Sequence, residues 1–82
     1  MKFTHYFHHT CKRQDRKHIR MEWIERAVNS PAKETVQVDG RIRRWAWISE
    51  ARKYLRVILL EDRETVHNAF FDRDFEENTN ED

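Results

Sequence analysis

ETVQVDGRIRRWAWI, residues 34–48, decides how the chain folds. From Glu34 the pattern changes from helical spacing to alternation, and Asp39-Gly40 falls between two alternating runs. Asp-Gly is a strong short-range hairpin signal, because glycine takes a positive φ without steric penalty. Glu34 to Val38 is therefore predicted as one strand and Arg41 to Ile48 as its antiparallel return. A tight two-residue turn sets Val38 against Arg41, Val36 against Arg43 and Glu34 against Trp45. Those six residues and Trp47 then share one face. Thr35, Gln37, Ile42, Arg44, Ala46 and Ile48 share the other. Neither face is cleanly apolar, so the sequence leaves open which one meets the helices.

Downstream, Tyr54 to Leu60 reads as a third strand. It is nearly all apolar and is expected to be central. Leu55, Val57 and Leu59 point one way; Tyr54, Arg56, Ile58 and Leu60 point the other. Glu61 to Glu64 is a polar turn and Thr65 to Phe71 a last strand. Upstream, Pro31 stops a helix over residues 20–30, in which Ile24, Ala27 and Val28 share a face. Residues 8–17 lack Gly and Pro and are read as a polar helix, preceded by a short strand within residues 2–7. The prediction is an α+β domain over residues 1–71: a short N-terminal strand and two helices packed on a four-stranded antiparallel β-meander. Residues 72–82 form an acidic tail, expected to be disordered.

Composition narrows the functional classes. With 82 residues the chain makes one small domain. A domain of this size buries roughly 60% of its extended-chain surface, so its core is thin. A single glycine excludes a dinucleotide-binding loop. Cys11 is the only cysteine, which rules out an internal disulfide. The longest apolar run, Val57 to Leu60, is far too short to span a membrane, and Lys2, His5, His8 and His9 interrupt any leader-like stretch. A cytoplasmic protein without membrane contact is the expectation.

Charge is segregated beneath a net +1. Residues 1–20 carry Lys2, Lys12, Arg13, Arg16, Lys17 and Arg20 against Asp15, a net +5. Residues 72–82 carry Asp72, Asp74, Glu76, Glu77, Glu81 and Asp82 against Arg73, a net −5. A basic body with an acidic end suits either a polyanion-binding surface with a self-shielding tail or two solvated runs that cancel.

Several constellations carry candidate chemistry. His9, Arg13 and Lys17 are spaced i, i+4, i+8, which on a helix is one face. Metal-independent RNA cleavage needs a base for the 2′-hydroxyl, an acid for the leaving oxygen and cations around the phosphorane; His and Arg supply these near neutral pH. Arg41, Arg43, Arg44, Trp45 and Trp47 interleave cations with rings, a recurring device for holding phosphates and stacking bases. The competing readings are a solvated helix face and core tryptophans covered by Arg stems. Arg56, inside an apolar strand, must face a phosphate-binding cleft or pair with Glu61, Asp62 or a tail carboxylate. His67 is a second proton-transfer candidate or a structural histidine. His5, His8, His9 and Cys11 lack the paired spacing of a zinc site, so no metal and no other cofactor is expected.

The chain also resembles a family. His9, Arg13 and Lys17, then His18-Ile19, Ile24 and Ser30-Pro31, then Asp39-Gly40-Arg41, Leu55-Arg56-Val57-Ile58 and Thr65-Val66 follow a pattern over residues 3–71. It is similar to that of small bacterial domains sharing the fold of RelE-like and BrnT-like ribonuclease toxins. Lys17 stands where those carry Arg, His18 where they carry Gly, and the last strand lacks their tyrosine. The resemblance implies an endoribonuclease. With the constellations, it makes His9 and His67 proton-transfer groups, with Arg13, Arg44 and Arg56 around the phosphate. Lys17, Arg41, Arg43, Arg44 and Trp47 then bind RNA. The alternative is a non-catalytic module whose sheet edge or basic face binds an antitoxin-like chain or its own tail. A homodimer is a further way to complete the thin core.

Overall fold

The computed structural model describes residues 1–13 and 18–75. The elements are β1 (Lys2–Phe3), α1 (His5–Thr10), α2 (Met21–Asn29), β2 (Lys33–Val36), β3 (Ile42–Ile48), β4 (Lys53–Leu59) and β5 (Thr65–Phe71). The fold is α+β. Its sheet has five strands in the order β1-β5-β4-β3-β2 and is mixed. Strands β2 to β5 pair antiparallel with their chain neighbours, while β1 pairs parallel with β5 through Lys2 opposite Thr65 and Phe3 opposite Val66. The sheet is thus not a four-stranded antiparallel one with a separate N-terminal strand, because β1 joins its edge.

The first helix is earlier and shorter than residues 8–17. Phe3 to Phe7 favours extended backbone by composition, but Thr4 acts as an N-cap: its hydroxyl accepts the Phe7 N–H at 3.0 Å. That bond starts the helix at His5, and Phe7 and Thr10, three apart, give it a buried face. The second helix has Trp23, Ile24 and Ala27 buried and closes at Ser30, just before Pro31. It packs over β3 and β4, while α1 lies along β5.

The hairpin register differs by one residue from the two-residue turn. Val36 opposes Ile42, Thr35 opposes Arg43, Glu34 opposes Arg44 and Lys33 opposes Trp45. Gln37 N–H donates to Arg41 O at 2.7 Å, and Gly40 N–H donates to Gln37 O at 2.9 Å. The loop between the closing pair is therefore Val38–Asp39–Gly40, with Gly40 at φ +92°. Asp-Gly serves a three-residue loop with a left-handed last residue as well as a two-residue one. The Asp39 carboxylate accepts the Arg41 N–H at 3.0 Å and steadies the wider form.

This register settles the faces. Ile42, Ala46 and Ile48 of β3 join Leu55, Val57 and Leu59 of β4 and Val66 and Ala69 of β5 under the helices, with Phe7, Trp23, Ile24 and Ala27. Arg43, Trp45 and Trp47 face the other side, on which no helix of the described residues packs over them.

Gly40→Ala is expected to cost about 1–2 kcal/mol in urea unfolding, because an L side chain resists a left-handed φ. A new Cβ also meets the Glu61 side chain, which is exposed and can swing aside. Gly40→Ala/Glu61→Ala should therefore recover little. Full recovery would place the cost in the contact and not in the backbone.

Candidate functional site

The sheet face opposite the core carries an open cleft of about 430 Å³, to which α1 contributes Tyr6. Arg41, Arg56 and His67 line it with Tyr6, Gln37, Ile58, Asn68 and Phe70. Three strands, α1 and one irregularity bring them together. Arg41 leads into β3 and Arg56 comes from mid-β4. On β5, Ile58 pairs with Asn68, but the next residue, Leu59, pairs with Val66. The extra residue is His67, a β-bulge. Its bulge lets His67 and Asn68, adjacent in sequence, line the same cleft.

The His67 ring is held on two sides. Its Nδ1 lies 3.1 Å from Thr4 Oγ1, and Tyr6 stacks on it with ring centroids 4.7 Å apart at 19°. Since Nδ1 is engaged by Thr4, ligand chemistry at this ring falls to Nε2. Partial burial, and secondarily the Arg41 charge, push its pKa below the ordinary imidazole value. Both causes favour the neutral ring, the state a general base requires.

Arg56 is fixed by a tail carboxylate, one of the partners the sequence allows. Its Nε and Nη2 donate to Asp72 Oδ2 at 3.1 and 2.7 Å, and Trp45 Nε1 donates to the same oxygen at 3.0 Å. The guanidinium also lies 5.5 Å from the Trp45 ring centroid and 5.0 Å from that of Phe70. Burial pushes the Asp72 carboxyl upward, but the Trp45 and Arg56 hydrogen bonds outweigh it and hold the pKa below the usual carboxylate range.

The other expected site residues divide. Trp47 is exposed, meeting Tyr54 edge-on at 5.1 Å, and Arg43 is half-buried on the same face. Arg44 falls on the helix side. It donates to Glu34 Oε1 at 2.6 Å and to Val28 O at 2.6 Å, and its role there is structural. Glu34 also accepts from Arg63 at 3.0 Å, and these bonds from Arg63 and Arg44 lower its pKa. His9 is exposed on α1 and Arg13 lies in the turn after it; neither is among the residues lining the cleft. Because α1 ends at Thr10, His9 and Arg13 do not share one helix, and Lys17 lies outside the described residues. Among the described residues no group of three or more His, Cys, Asp or Glu converges as a metal site, and no helix is long and apolar enough to cross a membrane.

Thr4, Tyr6 and Asn68 belong to the site without having been singled out in the sequence. The Thr4 cap was the one signal that could have found α1, and hence Tyr6. Compared with family models, curated proteins and solved structures, the chain matches none of them.

In an NMR titration the His67 ring should show a midpoint below the unperturbed value of about 6.5. Arg41→Ala should raise it only in part, because burial is the larger cause. A midpoint at or above the unperturbed value would remove the argument for a neutral imidazole.

Proposed function

We propose that the chain binds single-stranded RNA across the uncovered sheet face and cleaves it without a metal, with His67 as the base. One observation carries this reading: an imidazole with a lowered pKa, two guanidiniums and two aromatic rings line one open cleft. In the reaction, His67 Nε2 takes the proton of a 2′-hydroxyl and the oxygen attacks the adjacent phosphorus. The bond to the 5′-oxygen breaks, leaving a 2′,3′-cyclic phosphate. Arg41 and Arg56 stabilise the charge on the phosphorane, and the Tyr6 hydroxyl supplies the proton that the leaving oxygen takes up. Arg43 and Trp47 extend the surface along β3. This is also the activity implied by the motif resemblance to RelE-like and BrnT-like toxins.

A second reading rests on β2. It is an edge strand, its Val36 is 58% exposed, and Val38 beside it is fully exposed. An antitoxin-like chain adding a strand there would gain main-chain hydrogen bonds and an apolar contact. That binding would respond weakly to salt, whereas RNA affinity falls steeply with it.

The test uses mixed-sequence RNA with metals chelated. His67→Ala should lower cleavage about 100-fold or more while retaining binding. Arg41→Ala should weaken binding and reduce the salt slope by about 0.7. The wild-type rate should rise with pH as His67 loses its proton, with its half-rise below the ordinary imidazole midpoint, until another group intervenes. Cleavage unchanged in His67→Ala would refute the assignment. Absence of cleavage with salt-sensitive binding intact would reduce the function to RNA binding.

A further inference from the structure

The chain continues past β5 onto the uncovered face, and what it covers there is a ring. Phe75 stacks on Trp45 with centroids 4.6 Å apart and planes 11° from parallel, and meets Tyr54 edge-on at 4.8 Å and 73°. Trp45 is only 5% exposed as a result of that cover and of its neighbours on the sheet. A near-parallel ring over a strand-borne tryptophan is the geometry in which single-stranded nucleic acids stack their bases on proteins.

Two features distinguish Phe75 from an ordinary core side chain. Asp72 is tied to the sheet, its N–H donating to Tyr54 O at 2.9 Å. Phe75, three residues on, has its N–H bonded within its own segment, to Asp72 O at 3.4 Å. Among the described backbone bonds, lifting the Phe75 ring breaks none of the sheet ladder. Meanwhile Asp72 keeps its hold on Trp45 Nε1 and Arg56, so the indole stays oriented when the cover leaves. Arg56 lies over the Trp45 ring and also lines the His67 cleft, so the two places adjoin.

We infer that the Trp45–Tyr54 corner is a base-stacking subsite for single-stranded RNA, next to the His67 cleft, and that Phe75 occupies it until a base displaces the ring. The inference rests on the RNA reading above and adds to it a second nucleotide position and a competition within the chain. Any base has a stacking face, so this subsite discriminates little between sequences. Its effect is on affinity, because every bound strand must first displace an intramolecular competitor.

The full chain is titrated with a short mixed-sequence single-stranded RNA under chelated conditions, as wild type, Phe75→Ala, Phe75→Trp and Arg41→Ala. The Trp45 indole N–H signal, assigned with Trp45→Phe, reports the subsite. Phe75→Ala should bind about threefold to tenfold tighter, with an unchanged salt slope because no charge is lost. Phe75→Trp, a larger ring in the same place, should bind more weakly, and RNA should shift the Trp45 indole signal. If Phe75→Ala melts before titration, the Phe75→Trp comparison decides. Equal affinities in wild type, Phe75→Ala and Phe75→Trp, with Arg41→Ala weakened, would overturn the subsite and leave the RNA reading standing. No binding by any folded form would overturn both.

Discussion

Arg56 stands in the middle of β4, the strand that supplies Leu55, Val57 and Leu59 to the core. A guanidinium there must be paired, since an unpaired charge away from water is strongly unfavourable. Its partner is Asp72, one residue beyond β5, only 9% exposed. The same carboxylate oxygen takes the Trp45 indole N–H, so one acceptor satisfies donors from two adjacent strands. The uncovered face is arranged around that oxygen. It turns the chain back over the sheet after Phe71, brings Phe75 to Trp45, and fixes Arg56 between the Trp45 and Phe70 rings. Breaking such a partly buried pair from one side leaves the other charge without its partner, which is why this face is more than a coat of solvated cations.

Much of the strand architecture was legible because it rests on periodicity. The alternation of Leu55, Val57 and Leu59 against Arg56 and Ile58 follows from strand geometry alone. Pro31 marked the end of α2 for an equally local reason. What escaped depended on choices that local sequence does not make. Asp39-Gly40 suits two loop lengths, and the one adopted shifts β2 by a residue, which reassigns its faces. The bulge at His67 has no glycine or proline to announce it. Thr4 was a legible cap, yet the β-favouring residues around it pointed the other way, and the tertiary placement of Phe7 decided the contest.

The candidate site shows the same division. Arg41, Arg56 and His67 could be picked out as residue types suited to phosphate and proton transfer, but their convergence depends on strand order, register and the bulge. Arg43 and Arg44, adjacent and chemically alike, show how little residue type decides by itself. Strand alternation sends Arg43 to the uncovered face and Arg44 to the helix side, where it ties α2 and β2 together through Val28 O and Glu34. Sequence places a cation at both positions; the pleat determines which one a ligand can reach.

Thr4 joins folding and chemistry through one oxygen. Its hydroxyl accepts the Phe7 N–H that begins α1 and lies against Nδ1 of His67. The helix start, the orientation of the imidazole and the position of Tyr6 above it are therefore set together. A hydroxyl has one proton and two acceptor lone pairs. With one lone pair given to Phe7 N–H, Thr4 can still donate to Nδ1 or accept from it. Both states of the imidazole tautomer are thus compatible with the same backbone. A ring that takes a proton at Nε2 needs an acceptor for its Nδ1–H both before and after the transfer. In this chain the N-cap supplies it without any change in the fold.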